Sequence, residues 1–164
     1  VLEFNKTPKA ILEDGYHKYG FFKQYNGYYK LPNLQIIGPI FNFIRKEYAP
    51  GEKYPHTIGD QLKVLTFRDL TTGFQSDTED KKPDLPVDPS SQMITITAQT
   101  TYCDNQNELI RFTMRGSGTE PKLKVYIEAS AETESRAIEL THITWDALRK
   151  EWFKPEKTGL RTDF

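Results

Sequence analysis

Three runs between residues 93 and 129 alternate apolar and polar side chains with a period of two, and no other feature of the chain restricts its fold so strongly. Ile94, Ile96 and Ala98 alternate with Thr95, Thr97 and Gln99. Ile110, Phe112 and Met114 alternate with Arg111, Thr113 and Arg115, and Leu123, Val125, Ile127 and Ala129 with Lys122, Lys124, Tyr126 and Glu128. Successive side chains of a strand point to opposite faces, so each run predicts a strand with one dry and one wet face, as antiparallel sheets allow. Asp104-Asn105 is a turn signal between the first two runs. Residues 61–68 predict another strand, followed by a turn from Asp69 to Gly73. The aromatic stretch 21–31 reads as one strand or as a hairpin arm bent at Asn26-Gly27.

Helical spacing occupies the rest. Ile11, Leu12, Tyr16 and Tyr19 share a face within 9–19, and Gly20 is placed to end that helix. Gly38-Pro39 opens a second helix, with Ile40, Phe43 and Ile44 on its apolar side and Asn42, Arg45 and Lys46 on its wet side. It stops before Pro50-Gly51. A third runs from about 132 to 153, with Ile138, Trp145, Leu148 and Trp152 on one stripe, and Pro155 ends it. Ser76 to Ser91, with three prolines and mixed charges, predicts an exposed loop and the most mobile internal segment. The expected class is α+β, an antiparallel sheet with helices covering one face.

The chain's 164 residues suit about one domain. Its 22 Lys and Arg nearly cancel 23 Asp and Glu. No global field therefore argues for nucleic acid or an anionic membrane, and any anion must be held by a local arrangement. A single cysteine, Cys103, excludes an internal disulfide and reads as a loop residue. No apolar run reaches the ~18 residues of a membrane span and no signal peptide is visible, so a cytoplasmic protein is expected. A first residue of valine suggests a piece of a longer chain.

One loop carries chemistry. Between the second and third alternating runs lies Arg115-Gly116-Ser117-Gly118-Thr119-Glu120-Pro121-Lys122. Two glycines let the backbone bend and approach a ligand, successive N–H groups can converge on an anion, and Ser117 and Thr119 add hydroxyls. Arg115 offers a planar fork matched to a phosphate dianion, while Lys122 is either a further point charge or solvated. The same spacing also fits an ordinary glycine-containing turn between strands, and no GxxxxGK[ST] spacing is present.

The loop, with the Leu-Lys-Val-Tyr-Ile-Glu-Ala that follows, resembles the R-x-S-G-T-E-P signature of the α-D-phosphohexomutase superfamily. Phe67-Arg68-Asp69-Leu70-Thr71-Thr72-Gly73-Phe74, Leu85-Pro86, Ser90-Ser91-Gln92-Met93-Ile94-Thr95 and Tyr19-Gly20-Phe21 are similar to its eukaryotic phosphoglucomutase/phosphopentomutase branch. The similarity runs from about residue 9 to the end. It implies that residues 35–164 are the fourth domain of such an enzyme, of TATA-binding-protein-like architecture, and that 1–34 are the end of the preceding domain and a hinge. It implies a clamp for the non-reacting phosphate of a hexose or pentose phosphate, made by Arg115, Gly116, Ser117, Gly118, Thr119 and, more weakly, Lys122, with Gly116 supplying the bend. Residue 116 is glycine where many members carry a larger side chain.

The parent enzyme implied would use Mg2+ and a sugar bisphosphate activator. This chain carries no serine in a T-A-S-H-N-P-like context, no D-x-D-x-D-R metal loop and no G-E-E-S-G sugar loop. None of His17, His56 and His142 has a matching context, and His142 reads as a packing or surface residue. The expectation is that no catalytic or metal-binding residue lies in this chain, that its partners are a sugar phosphate and the other domains, with no nucleic acid or membrane, and that alone it is inactive. The alternative is a stand-alone anion-binding or protein-interaction module.

Overall fold

The structure, a computed structural model, describes residues 20–102 and 107–162. The helix expected over 9–19, His17, Cys103 and the Asp104-Asn105 turn lie outside the described residues. Within them the class is α+β, as expected. Seven strands form one antiparallel sheet: β1 (Phe21–Lys30), β2 (Thr57–Ile58), β3 (Leu62–Asp69), β4 (Phe74–Gln75), β5 (Met93–Thr100), β6 (Leu109–Gly116) and β7 (Lys122–Ala131). The order across the sheet is β1-β7-β6-β5-β3-β2, with β4 paired to the end of β3.

The alternating runs place their dry sides as the pattern requires. Ile94, Ile96, Ile110, Phe112, Met114, Val125 and Ile127 are fully buried. Full burial of a side chain such as Phe112 contributes about 1.5–3 kcal/mol. The aromatic stretch is one strand, not a bent hairpin arm, because Asn26 and Gly27 pair in unbroken register with Tyr126 and Val125 of β7. Tyr29 anchors it, fully buried and stacked on Trp145 at 5.3 Å. A register shift between Val64 and Thr66 lets Leu65 turn outward, 38% exposed.

Helices lie on the dry face. Asn33 accepts a bond from the Gln35 N–H at 3.0 Å and starts a 3₁₀ turn, Leu34–Ile36, that leads into α1 (Ile37–Asn42) and a π turn, Phe43–Glu47. The helical path therefore begins before Gly38-Pro39. Pro39 sits in the first turn of α1, where a missing N–H leaves no internal bond unmade. Of the three residues expected on its wet side, Asn42 and Lys46 are exposed, but Arg45 turns inward to Asp69.

Thr133 caps α2 (Glu134–Leu148) by accepting from the Arg136 N–H at 3.2 Å, and a π turn, Arg149–Phe153, follows. The buried stripe of α2 runs through Ala137, Leu140, Thr141, Thr144 and Leu148, while Ile138 is 40% exposed. Thr141 and Thr144 tolerate burial because their hydroxyls donate to the carbonyls of Ile138 and Leu140, at 2.7 and 2.8 Å. Of the four residues expected on the stripe, Leu148 and Trp152 are buried and Trp145 packs against the core, so Ile138 alone departs from it. Lys154, left-handed at φ 41°, leads through Pro155 into the short α3 (Pro155–Thr158).

No described helix is long and apolar enough to cross a membrane.

Candidate functional site: the β6–β7 loop and its cleft

The loop expected to bind anions joins two central strands that stay paired to its edge, Arg115 opposite Lys124 and Gly116 opposite Leu123. Its exit is tied down twice: the Leu31 N–H donates to the Pro121 carbonyl at 2.8 Å, and Lys30 exchanges two backbone bonds with Arg161. The loop is thus fixed at its ends while Gly118 and Thr119 project into solvent.

Strand parity separates the first two loop residues. Arg115 lies on the open face of the sheet, exposed, opposite Met93 and Lys124. Among the described residues it has no ion-pair or hydrogen-bond partner. Gly116 lies on the dry face, buried, and its φ is not positive. It does not supply the bend. A Cβ there would stand 2.8 Å from Ile37 Cγ2, so glycine lets α1 approach the sheet closely beneath the loop.

The backbone donors divide as well. The Gly116 N–H donates to the Gln92 carbonyl at 3.0 Å and the Ser117 N–H to the Lys122 carbonyl at 2.9 Å. The Ser117 hydroxyl accepts from the Glu120 N–H at 3.3 Å and keeps its own proton to donate. The N–H groups of Gly118 and Thr119 and the Thr119 hydroxyl have no partner among the described residues. Lys122 is neither a free point charge nor simply solvated: it pairs with Glu120 at 2.9 Å and lies 5.0 Å from the Tyr28 ring centre. This hydrogen-bonded pairing raises the Lys122 ammonium above its usual value and lowers the Glu120 carboxyl below its own.

A cleft of about 270 Å³ opens beside the loop, between Gly116–Gly118, the start of α1 at Ile37 and the segment Ser90-Ser91-Gln92. The Gln92 side-chain oxygen is buried and has no hydrogen-bond partner among the described residues. Sequence reasoning noticed this segment only as part of a resemblance, since nothing in its pattern signals a cleft.

The Asp69–Gly73 turn stands behind the cleft. Asp69, 1% exposed, receives Arg45 through Nε at 2.5 Å and a terminal nitrogen at 3.1 Å, and also the N–H groups of Thr71 and Thr72. The Thr71 hydroxyl donates to the Ser91 carbonyl at 2.9 Å and accepts from the Met93 N–H at 3.0 Å. The turn therefore positions the segment that holds Gln92.

The histidines take surface roles: His142 is exposed and edge-on to Tyr25, and His56 lies 3.7 Å from Glu52. Among the described residues, no three His, Cys, Asp or Glu side chains group as a metal site would require.

No protein-family model matches the chain. Curated relatives do. It is 54% identical to the phosphoribomutase of Saccharomyces cerevisiae over 164 residues, covering 99% of this chain and 26% of that protein. It is 38% identical to the glucose 1,6-bisphosphate synthase of Homo sapiens over 161 residues, 95% of this chain and 24% of that protein. It is 33% identical to the phosphopentomutase of Homo sapiens over 165 residues, 98% and 24%. The chain spans about a quarter of the length of these relatives. It is a homologue of phosphoribomutase, glucose 1,6-bisphosphate synthase and phosphopentomutase, in a portion consistent with a C-terminal domain of the phosphohexomutase superfamily.

Proposed function

We propose that this chain is the C-terminal domain of a cytoplasmic sugar-phosphate mutase and that its β6–β7 loop holds the substrate phosphate that is not being transferred. The observation that carries this reading is the set of unpaired donors at one loop: the Arg115 guanidinium, the N–H groups of Gly118 and Thr119, and the Thr119 hydroxyl. Phosphoryl transfer depends mostly on positioning and on charge stabilisation, so a domain that only holds the distal phosphate contributes without a reacting group of its own. The Ser117 hydroxyl adds a donor. Lys122 contributes charge only after leaving Glu120. The substrate is a hexose or pentose phosphate.

In the parent enzyme Mg2+ and a sugar bisphosphate activator would act on the other domains. The described residues of this chain offer no cluster of donors for the metal. The parent's remaining domains are the proposed partners. Residues 35–164 are proposed as the phosphate-binding unit and 1–34 as the end of the preceding domain and hinge; β1 of that hinge segment pairs with β7 along its whole length.

The isolated loop is open to water, which screens its charge, so binding on the order of millimolar, about −4 kcal/mol, is expected. Titration of the labelled chain with inorganic phosphate, followed by amide NMR, tests the reading. Shifts concentrated at 115–119 are expected. Still amides there, with movement at Asp69–Gly73 or in β1, would remove it. A coupled assay of the chain alone with glucose 1-phosphate, bisphosphate primer and magnesium is expected to show no turnover.

A further inference from the structure

We infer that the cavity between α1 and the turn at Lys154–Thr158 binds a small amphipathic anion, a molecule with an apolar, ring-sized body and one carboxylate. The cavity shares no lining residue with the cleft beside the 115–119 loop: Ile37 of α1 borders that cleft, whereas Ile36 and Ile40 border this cavity.

The cavity has a volume of about 580 Å³, within the range that takes a drug-sized ligand. Ile36, Pro39, Ile40, Phe43 and Trp152 give it an apolar wall. That wall is braced. Tyr48 stands edge-on to Phe43 at 6.0 Å and to Trp152 at 5.8 Å. Its hydroxyl accepts from the Gly59 N–H at 2.7 Å and donates to Glu151 at 3.3 Å. A ligand would meet a surface already shaped, which lowers the ordering cost of binding.

Charge sets the class of ligand. Lys154 and Lys157 both line the cavity, and no carboxylate does. Neither lysine has a carboxylate partner among the described residues, and Glu156 between them pairs with neither. The Lys154 Nζ lies 4.9 Å from the centre of the Phe43 ring, so this charge is held against the apolar wall. An aromatic face attracts an ammonium but leaves its N–H donors for an anion. The neutral polar groups are engaged elsewhere: the Thr158 hydroxyl bonds to the carbonyls of Phe153 and Lys154, and the Asn33 side-chain oxygen accepts from the Gln35 N–H. A cation would be repelled by both lysines. A bare anion would leave the wall wet, and an uncharged apolar molecule would leave the charges unanswered. A carboxylate joined to an apolar body answers both.

Amide NMR titration of the unaltered chain with 2-naphthoate, 2-naphthamide and acetate tests the inference. Naphthoate should saturably shift the amides of 35–43 and 152–158, which flank the cavity, and leave those of 115–119 still, so this site stands or falls apart from the phosphate loop. It should bind about fivefold more tightly than naphthamide, the scale of one exposed ion pair. Acetate should give no saturable shift there. In Lys154→Met combined with Lys157→Met, which keeps both apolar stems, naphthoate should fall to the level of naphthamide, and naphthamide should bind as before. Four results would overturn the inference: no saturable shift with naphthoate, largest shifts outside these segments, acetate or naphthamide binding as tightly as naphthoate to the unaltered chain, or a preference for the acid that survives in the double variant.

Discussion

The turn at Asp69–Gly73 and the loop at 115–119 both bond to the segment 91–93 and use their polar groups in opposite ways. Both carry a charged residue, hydroxyls and a glycine in a handful of positions. In the turn every one of these groups that matters is satisfied internally: the Asp69 carboxylate takes four donors, and Thr71 both donates and accepts. In the loop Arg115, two backbone N–H groups and a hydroxyl have no partner among the described residues. Sequence resemblance marks both segments alike. Bonding separates them: the first is closed on itself as scaffold, and the second is the one for which a ligand is proposed.

The largest test of this contrast removes the scaffold's centre. Asp69→Ala strips a buried carboxylate from Arg45 and should destabilise the fold by about 3–5 kcal/mol. Urea unfolding checks it, and a loss under about 1 kcal/mol, the scale of an exposed pair, would erase the distinction.

Arg115→Ala should do the reverse. With no partner to strand, its stability should move by less than about 0.5 kcal/mol. Phosphate binding should fall by the value of one charge-assisted bond, about 1.5–3 kcal/mol or roughly ten- to a hundredfold. Parallel melting curves and phosphate titrations would show whether the two effects separate.

Gly118→Ala sharpens the point at the backbone. A Cβ at Gly118 meets nothing within 4 Å and its φ is not positive. The unliganded chain therefore has no need of glycine there, and stability should be unchanged to within about 0.5 kcal/mol. Weaker phosphate binding in this variant would assign the need to the ligand; unchanged binding would place the anion elsewhere.

The smallest effect concerns Glu120→Gln. Releasing Lys122 should strengthen phosphate binding only slightly, because an exposed pair in water holds its partners weakly. The pH dependence follows the same pair. Because the Glu120 carboxyl is lowered, its pairing is complete above the ordinary carboxylate range and is lost as pH falls through its folded value. The difference between Glu120→Gln and the unaltered chain should shrink in acid.

Much of the scaffold was legible because strands declare themselves locally. The alternation at 93–129 named the three central strands and their dry sides from neighbouring residues alone. What failed depended on bonds and contacts that the pattern of side-chain polarity does not reveal. Arg45 looked solvated because Asp69, its counter-ion, is 24 residues on. Ile138 looked buried because threonine hydroxyls that bond their own helix look polar in a sequence. In the loop, residue types suggest the chemistry proposed above, but which N–H groups are taken depends on β7 and on Gln92. Gly116 was legible as glycine and not as a floor for the cleft, because Ile37 sets that constraint from another element.

The edge strand has a mechanical consequence. The chain enters the sheet at Gly20–Phe21, beside Ala131, and reaches the loop at Lys30, beside Lys122. Ten residues at about 3.3 Å each make β1 a stiff arm of about 30 Å, welded along its length to β7. Gly20, at φ 83° with the Ala131 carbonyl oxygen 2.7 Å from where a Cβ would be, sits at the near end of that arm. A pivot of about 10° there swings the far tip by about 5 Å, given the strand's rise per residue. Because β1 is bonded to β7 along its whole length, the arm, the sheet and the β6–β7 loop would turn about that glycine as one rigid piece.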